Sequence, residues 1–270
     1  MEAATQIIDQ PVDYKSRKKN AEQKLFNDHF QNYKQYNIPK AQLVIADIPY
    51  NVGNKAYGSN PSWYIGGDNA NGESELAGTD FFDTDKNFKI SEFLHFCSKL
   101  LKPEPKEKGK APCMIVFCEF LQQFELIEKA KEYGLNNFIN LVFIKNFSAQ
   151  VLKANMRVVG NCEYALLLYR DKLPKFNNKG KMVFNAMPWV KDTASIKIHP
   201  TQKPVGMLIQ LIMLFTDPFD VVIDPVAGSA STLIAANQCD RNAFGFEIKK
   251  DFYKAALNRM ERETKQLKLF

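Results

Sequence analysis

Val-Val-Ile-Asp-Pro-Val-Ala-Gly-Ser-Ala-Ser-Thr, residues 221–232, decides the architecture. A short β-branched run of buried type ends at Asp224, Asp-Pro turns the chain, and small residues lead into a helical stretch, Ser231–Asn237. Such a turn through Gly228, Ser229 and Ala230 lets a ligand approach the backbone closely, and the helix N-terminus offers free N–H groups. It is not a P-loop, because no Lys-Ser/Thr follows, and it does not match G-x-G-x-x-G. Ala243–Glu247 (AFGFE) reads as a second strand ending in an acid 23 residues after Asp224. In a nucleotide-binding α/β unit an acid at that distance holds a ribose diol.

Working outward, β-branched runs predict further strands at Gln42–Asp47, Cys113–Cys118, Phe138–Ile144 and Tyr164–Tyr169. Between them lie helical patterns: Ser91–Leu101 with Ser91 as N-cap, Leu121–Tyr133 stopped by Gly134, Pro204–Phe215 and Lys250–Gln266. Strands alternating with helices imply a mostly parallel sheet covered on both faces. With 270 residues, 45% of them apolar, one such domain has a full core, and fibrous or disordered classes are excluded. Five cysteines without C-x-x-C oppose a disulfide frame or a zinc site, and residues 1–20 lack the apolar run of a secretory signal. A reduced protein of the cytoplasm or nucleoid, with no metal and no membrane span, is expected.

Two stretches break the alternation. Residues 51–88 carry six of the thirteen glycines and no sustained period, which suggests a flexible loop near the active site. Residues 145–203 hold eleven basic and three acidic side chains, a net +8 against +6 for the whole chain. Their Lys and Arg suit phosphates, while Asn146, Gln150, Asn155 and Arg157 are of a type that reads base edges. A target-recognition insert over 145–195 is the expectation.

Gln42–Tyr50 (QLVIADIPY) is the other strand that ends in chemistry. Pro49 biases Ile48 toward an extended backbone, so the carboxylate of Asp47 and the carbonyl of Ile48 become adjacent acceptors, with the ring of Tyr50 beside them. Two acceptors and an aromatic plate suit a planar group bearing NH₂, such as a nucleobase turned out of its stack.

Three segments together carry a family resemblance. Asp47-Ile48-Pro49-Tyr50-Asn51 is similar to the D-P-P-Y-N motif of amino-methylating DNA methyltransferases. Asp224-Pro225-Val226-Ala227-Gly228-Ser229-Ala230-Ser231 resembles their D-P-F-x-G-S-G-T loop, and His199-Pro200-Thr201-Gln202-Lys203-Pro204 matches their H-P-T-Q-K-P segment residue for residue. The order, catalytic turn first and cofactor loop last, resembles the circularly permuted β-class. The resemblance implies a Rossmann-like, S-adenosylmethionine-dependent α/β fold acting on double-stranded DNA. It implies that Asp47 and the residue-48 carbonyl accept from the target amine while Pro49 shapes the turn and Tyr50 stacks on the base. It further implies that Asp224, Ala227, Gly228, Ser229, Thr201, Lys203 and Pro204 enclose the methionine end of the cofactor. Glu247 would hold its ribose and Asp28 its adenine. Lys145, Asn146, Lys153, Asn155 and Arg157 would meet DNA.

Ile48 replaces a proline of the motif but keeps the carbonyl, Val226 thins an apolar wall, and Ala230 replaces a glycine, which is strain-free only with negative φ. Within the family these motifs resemble, Asp rather than Ser before Ile-Pro-Tyr implies adenine N6 as the target. Cytosine N4 is the alternative, and a degenerate, non-catalytic DNA-binding partner of a methyltransferase is another. A homodimer or a methyltransferase partner subunit stays open, as does a restriction-modification setting.

Overall fold

The computed structural model describes residues 21–50, 88–146, 150–153, 158–190, 192, 198 and 202–267. Within them lie strands β1 (Gln23–Phe26), β2 (Leu43–Asp47), β3 (Cys113–Cys118), β4 (Asn137–Lys145), β5 (Gln150–Lys153), β6 (Val158–Gly160), β7 (Cys162–Tyr169), β8 (Ala186–Trp189), β9 (Val221–Asp224) and β10 (Asn242–Phe246). The helices are α1 (Ile90–Leu100), α2 (Gln122–Glu132), α3 (Val205–Phe215), α4 (Ser231–Gln238) and α5 (Lys250–Leu267), and a 3-10 helix spans Phe30–Tyr36. The expected 51–88 loop lies outside the described residues save for Phe88.

Eight strands form one sheet in the order β1-β10-β9-β2-β3-β7-β4-β8. Pairing is parallel from β1 to β3 and between β4 and β8, while β7 runs antiparallel between β3 and β4. From β9 the chain steps outward through α4 to β10, and from β2 it steps the other way to β3. The boundary between β9 and β2 is therefore a topological switch point, and side chains at the carboxyl ends of those strands face one crevice. The N-terminal β1 completes the sheet beyond the C-terminal β10, with Phe26 level with Phe246.

Period-2 alternation divides the sheet into two cores. Leu43, Ile45, Ile115, Phe117, Phe143, Leu167 and Val222 pack against α3, α4 and α5. Val44, Ala46, Met114, Val116, Leu166 and Ile223 pack against the 3-10 helix, α1 and α2 on the opposite face. Near-continuous apolar strands are what burial on both faces demands. At the end of α2, Gly134 (φ 76°) lets Leu135 N–H reach Ala130 O and Gly134 N–H reach Lys131 O, a Schellman closure that accounts for the stop.

Ser91 is not the cap of α1. The cap is Lys89, without a side-chain bond, and Ser91 lies inside the first turn. Within residues 145–203, β7 and β8 are members of the main sheet, whereas β5 and β6 form a separate two-stranded sheet among the described residues.

Gly245 shows how tightly the crevice is built. A Cβ there would lie 2.7 Å from Leu233 Cδ1 and 3.1 Å from Ala227 Cβ, so β10 passes directly beneath the turn into α4. Gly245→Ala should lower stability by about 1–3 kcal/mol, the cost of overpacking a closed core, read from chemical denaturation.

Candidate active site

Asp47 ends β2 on the face that carries Leu43 and Ile45, and Phe117 lies level with it on β3. Beyond the strand, the N–H of Ile48 donates to Phe117 O at 3.2 Å and extends the ladder by one residue. The Ile48 side chain is buried in the α1/α2 core. Isoleucine thus serves as an anchor where proline would supply rigidity. Gln122 Nε2, at the start of α2, donates to Pro49 O at 2.8 Å and fixes the turn from the other side.

Charges alternate in sign around this turn. Lys203 Nζ, just before α3, donates to Asp47 Oδ2 at 2.6 Å and lies 3.7 Å from Glu163 Oε2. The Tyr50 hydroxyl donates to Glu163 Oε2 at 2.7 Å, and Lys145 Nζ donates to Glu163 Oε1 at 2.6 Å. The rings of Phe117, Tyr50 and Trp189 stand 5.2, 5.7 and 5.7 Å from Lys203 Nζ. Burial pushes the carboxyl of Asp47 above its ordinary range, and Lys203 opposes that rise without cancelling it. Burial also pushes at Glu163, but there Lys203 and Lys145 prevail and hold the group down to about 2. Asp47 Oδ1 is buried and makes no hydrogen bond with a described residue, while the Tyr50 hydroxyl lies close enough to the carboxyl to join Lys203 in opposing burial.

The second half of the crevice lies at the ends of β9, β10 and β1. Asp224 is buried, accepts from Val226 N–H at 3.1 Å, and is pushed up to about 7, chiefly by burial. Thr232 also bonds to it, and the charges of Asp47 and Glu247 add to the rise. Ala227 N–H donates to Phe246 O at 2.8 Å and Gly228 N–H to Glu247 Oε2 at 3.0 Å, which closes the 227–229 turn onto the end of β10. Lys249 N–H occupies Glu247 Oε1 at 2.7 Å. Asn27 Nδ2 donates to Glu247 O at 2.8 Å and brings the end of β1 alongside. There Asp28 accepts from Tyr36 OH, Asn32 Nδ2 and His29 N–H at 2.7, 2.8 and 2.7 Å, bonds that hold its carboxyl below the ordinary range.

Ala230 adopts φ 59°, the left-handed region, so the condition under which alanine would be strain-free is not met. The cost is about 1–2 kcal/mol. Arg259 of α5 supports the turn from behind, with Nη1 on Ser229 O at 3.0 Å and on Ser231 Oγ at 2.8 Å.

The structure therefore brings Asp224, Ala227, Gly228, Ser229, Glu247 and Asp28 to one rim, and Asp47, Ile48, Pro49 and Tyr50 to the adjoining one. Lys203 joins the second group, its ammonium being on Asp47. Pro204, placed at the same segment, is the buried N-cap of α3. Thr201 lies outside the described residues. A model of the DNA methylase family that joins N6 and N4 methylation matches residues 41–258, which hold every residue of the two rims except Asp28. The chain belongs to the N6/N4 DNA methylase family. The DNA adenine methyltransferase YhdJ of Escherichia coli (strain K12) is 24% identical over 258 residues, 88% of this chain and 82% of the relative. A methylase of the same organism designated YubD is 33% identical over 130 residues, which cover 48% of this chain and only 53% of YubD. In fold the methylase resembles M1.HpyAVI, solved as a complex with SAM, at a TM-score of 0.63 and 22% identity over 88% of this chain and 98% of the other.

Glu163, Phe117, Trp189, Gln122 and Arg259 are the site residues of this methylase that sequence reasoning missed. Glu163 was visible only as an acid in a basic stretch. Its place depends on β7 running antiparallel beside β4, with Phe143 level with Glu163. The basic stretch itself is partly internal. Lys145 is buried on Glu163 and over Trp189, so it does not face phosphates as expected. Arg170 and Lys172 donate to carbonyls of Ser98, Lys102 and Pro105, Lys175 pairs with Asp217, and Lys203 with Asp47. Asn146 is exposed after β4, the backbone of Lys153 is in β5, and Asn155 and Arg157 lie outside the described residues.

Asp224 has a consequence for stability. Its folded pKa of about 7 exceeds the ordinary 3.8, so the folded chain keeps a proton there that the unfolded chain gives up. Stability from this group is present at low pH and is lost as pH rises from 3.8 through about 7. Asp224→Asn should raise the melting temperature at pH 8, with the gain shrinking toward pH 5, measured by thermal denaturation.

Proposed function

We propose that this methylase transfers a methyl group to the exocyclic N6 of adenine in double-stranded DNA. The observation that carries the reading is Asp47 Oδ1, a buried carboxylate oxygen without a donor among the described residues, beside the turn carbonyl of Ile48. A buried acceptor left unpaired costs about 1–3 kcal/mol, which an incoming amine N–H removes. The Asp before Ile-Pro-Tyr and the likeness to a DNA adenine methyltransferase over most of both chains favour adenine over cytosine.

S-adenosylmethionine fits the second rim. Glu247 has acceptor capacity for a diol beyond its two backbone donors, a carboxylate offering about four lone-pair sites. Asp224, the 227–229 backbone and Asp28 supply the remaining polar contacts. When bound, the cofactor supplies an activated, electrophilic methyl group on a sulfonium.

The chain's own residues do the rest. The lone pair of an aromatic amine is delocalised into its ring, so the amine is a poor nucleophile. Hydrogen bonds from its two hydrogens to Asp47 Oδ1 and Ile48 O favour a pyramidal nitrogen whose lone pair is free, and the proton that this nitrogen sheds once it carries the methyl group passes toward the Asp47 carboxylate. Tyr50 holds the extruded base by stacking. Positioning and electrostatics supply the rate. Asp47 accepts most strongly when ionised, and Lys203 on Oδ2 favours that state against burial. DNA phosphates are met by what remains of the basic stretch once its internal pairs are removed, including Lys153 and Arg157, with Asn146 and Asn155 toward the bases.

Methylation-sensitive sequencing of host DNA, with and without expression of the chain, should show N6-methyladenine at one sequence motif. N4-methylcytosine in its place would move the assignment to cytosine. Asp47→Ala should lower turnover by at least about 10²-fold, while calorimetry with S-adenosylmethionine stays close to wild type. The acidic limb of kcat/KM should lie above the ordinary aspartate range and move to still higher pH in Lys203→Met, since removing the ammonium leaves burial unopposed.

A further inference from the structure

Glu163 plays no part in the transfer described above, yet its two oxygens are divided between different tasks. Oε1 accepts from Lys145 at 2.6 Å, while Oε2 accepts from the Tyr50 hydroxyl at 2.7 Å and has Lys203 at 3.7 Å. Lys145, Glu163, Lys203 and Asp47 thus form a row of alternating charges that sums to zero, its lysines buried and its carboxylates little exposed. A glutamate needed only to neutralise a buried lysine would be served by Lys145 alone. Here the oxygen facing the site meets the one polar atom of the Tyr50 ring and the cation that also binds Asp47.

Resting on the methylation reading, we infer that Glu163 is a positioning residue for the target base. Through the Tyr50 hydroxyl it fixes the plane of the stacking ring, and through Lys203 it holds the ammonium on Asp47 Oδ2, so that Oδ1 stays open to the amine.

The physical grounds are these. An ammonium has three donors and no preference between the oxygens of one carboxylate. A second acid within reach of the ammonium breaks that symmetry, and Glu163 is that acid, with Lys203 Nζ 2.6 Å from Asp47 Oδ2 and 3.7 Å from Glu163 Oε2. The Phe117 and Trp189 rings close the remaining sides of the ammonium. Burial and the neighbouring carboxylates push the Tyr50 phenol well above its ordinary range, whereas two lysines keep Glu163 ionised. The hydroxyl therefore donates, the carboxylate accepts, and the ring is held by a directed bond at its far end. A tyrosine tethered only by its Cα would retain ring freedom that stacking must remove at each binding event.

The test uses the full chain, once the target motif is known, with the paired variant Glu163→Leu/Lys145→Met, which removes one charge of each sign and leaves no new unpaired ammonium. Glu163→Gln, which keeps the shape and one acceptor, is the second variant and replaces the first if that does not fold. Three readouts are compared with wild type: kcat and KM on DNA, S-adenosylmethionine affinity by calorimetry, and the place of the Tyr50 ring in a crystal structure of the variant. We expect kcat to fall about tenfold or more with cofactor affinity unchanged and the Tyr50 ring displaced from its position beside Asp47. Wild-type kcat, an equal loss of cofactor affinity, or a Tyr50 ring that keeps its place would each overturn the inference. If the wild-type chain methylates no adenine, the proposed function fails first, and the position of the Tyr50 ring in the variant still decides whether Glu163 holds it.

Discussion

The buried pairing of Lys203 with Asp47 is the constraint on which the site depends. An ammonium stripped of water is costly, and removing one partner of such a pair destabilises a protein by about 3–5 kcal/mol, because the other is left uncompensated. The ends of β2, β3, β4 and β7 and the segment before α3 must therefore arrive together. Three of these strands contribute the last same-face side chain beyond their apolar run: Asp47 after Ile45, Lys145 after Phe143, and Glu163 before Ala165. The polar row is the edge of the hydrophobic core continued by one residue per strand.

The permuted order of the chain has a simple physical meaning in this setting. Splitting the sheet between β9 and β2 leaves the switch-point crevice intact, because the crevice is a property of strand neighbours and not of connectivity. Asp224 and Asp47 end adjacent strands, and the charge of Asp47 adds to the rise at Asp224. Lys203 lies on the Asp47 side and leaves Asp224 to burial, so the two acids of one crevice are driven apart in character. Burial raises both, but Lys203 opposes the rise at Asp47, whereas Asp224 is pushed up to about 7.

Much of this was legible in the sequence. The strands ending at Asp47 and Asp224 announce themselves by β-branched runs followed by Asp-Ile-Pro and Asp-Pro, since turn chemistry is local. Helices α1 to α5 follow from apolar periodicity and from stops such as Gly134. The misses are non-local. β1, β8 and the β5–β6 hairpin are only three or four residues each, too short to show a period. Glu163 and Trp189 acquire their roles only through register, Glu163 opposite Phe143 and Trp189 opposite Lys145. Ser91 misled because a serine at a helix start is a statistical cap, whereas the sheet-to-helix path here begins the turn two residues earlier.

Charge is the property whose meaning changed most between sequence and structure. A stretch with a net +8 reads as a face for phosphates, but lysines are also the cheapest means of neutralising acids drawn into a sheet end. Lys145 and Lys203 serve that purpose, and Lys175 does so for Asp217. Among the described residues of the stretch, Lys179 and Lys181 remain exposed to solvent. The neutral row beside the turn suits the chemistry proposed for the crevice. A neutral amine needs acceptors without a surplus of negative charge around them, and the zero-sum row provides this. Burial raises both acids at the ends of β9 and β10, and the charge of Lys249 opposes the rise at Glu247.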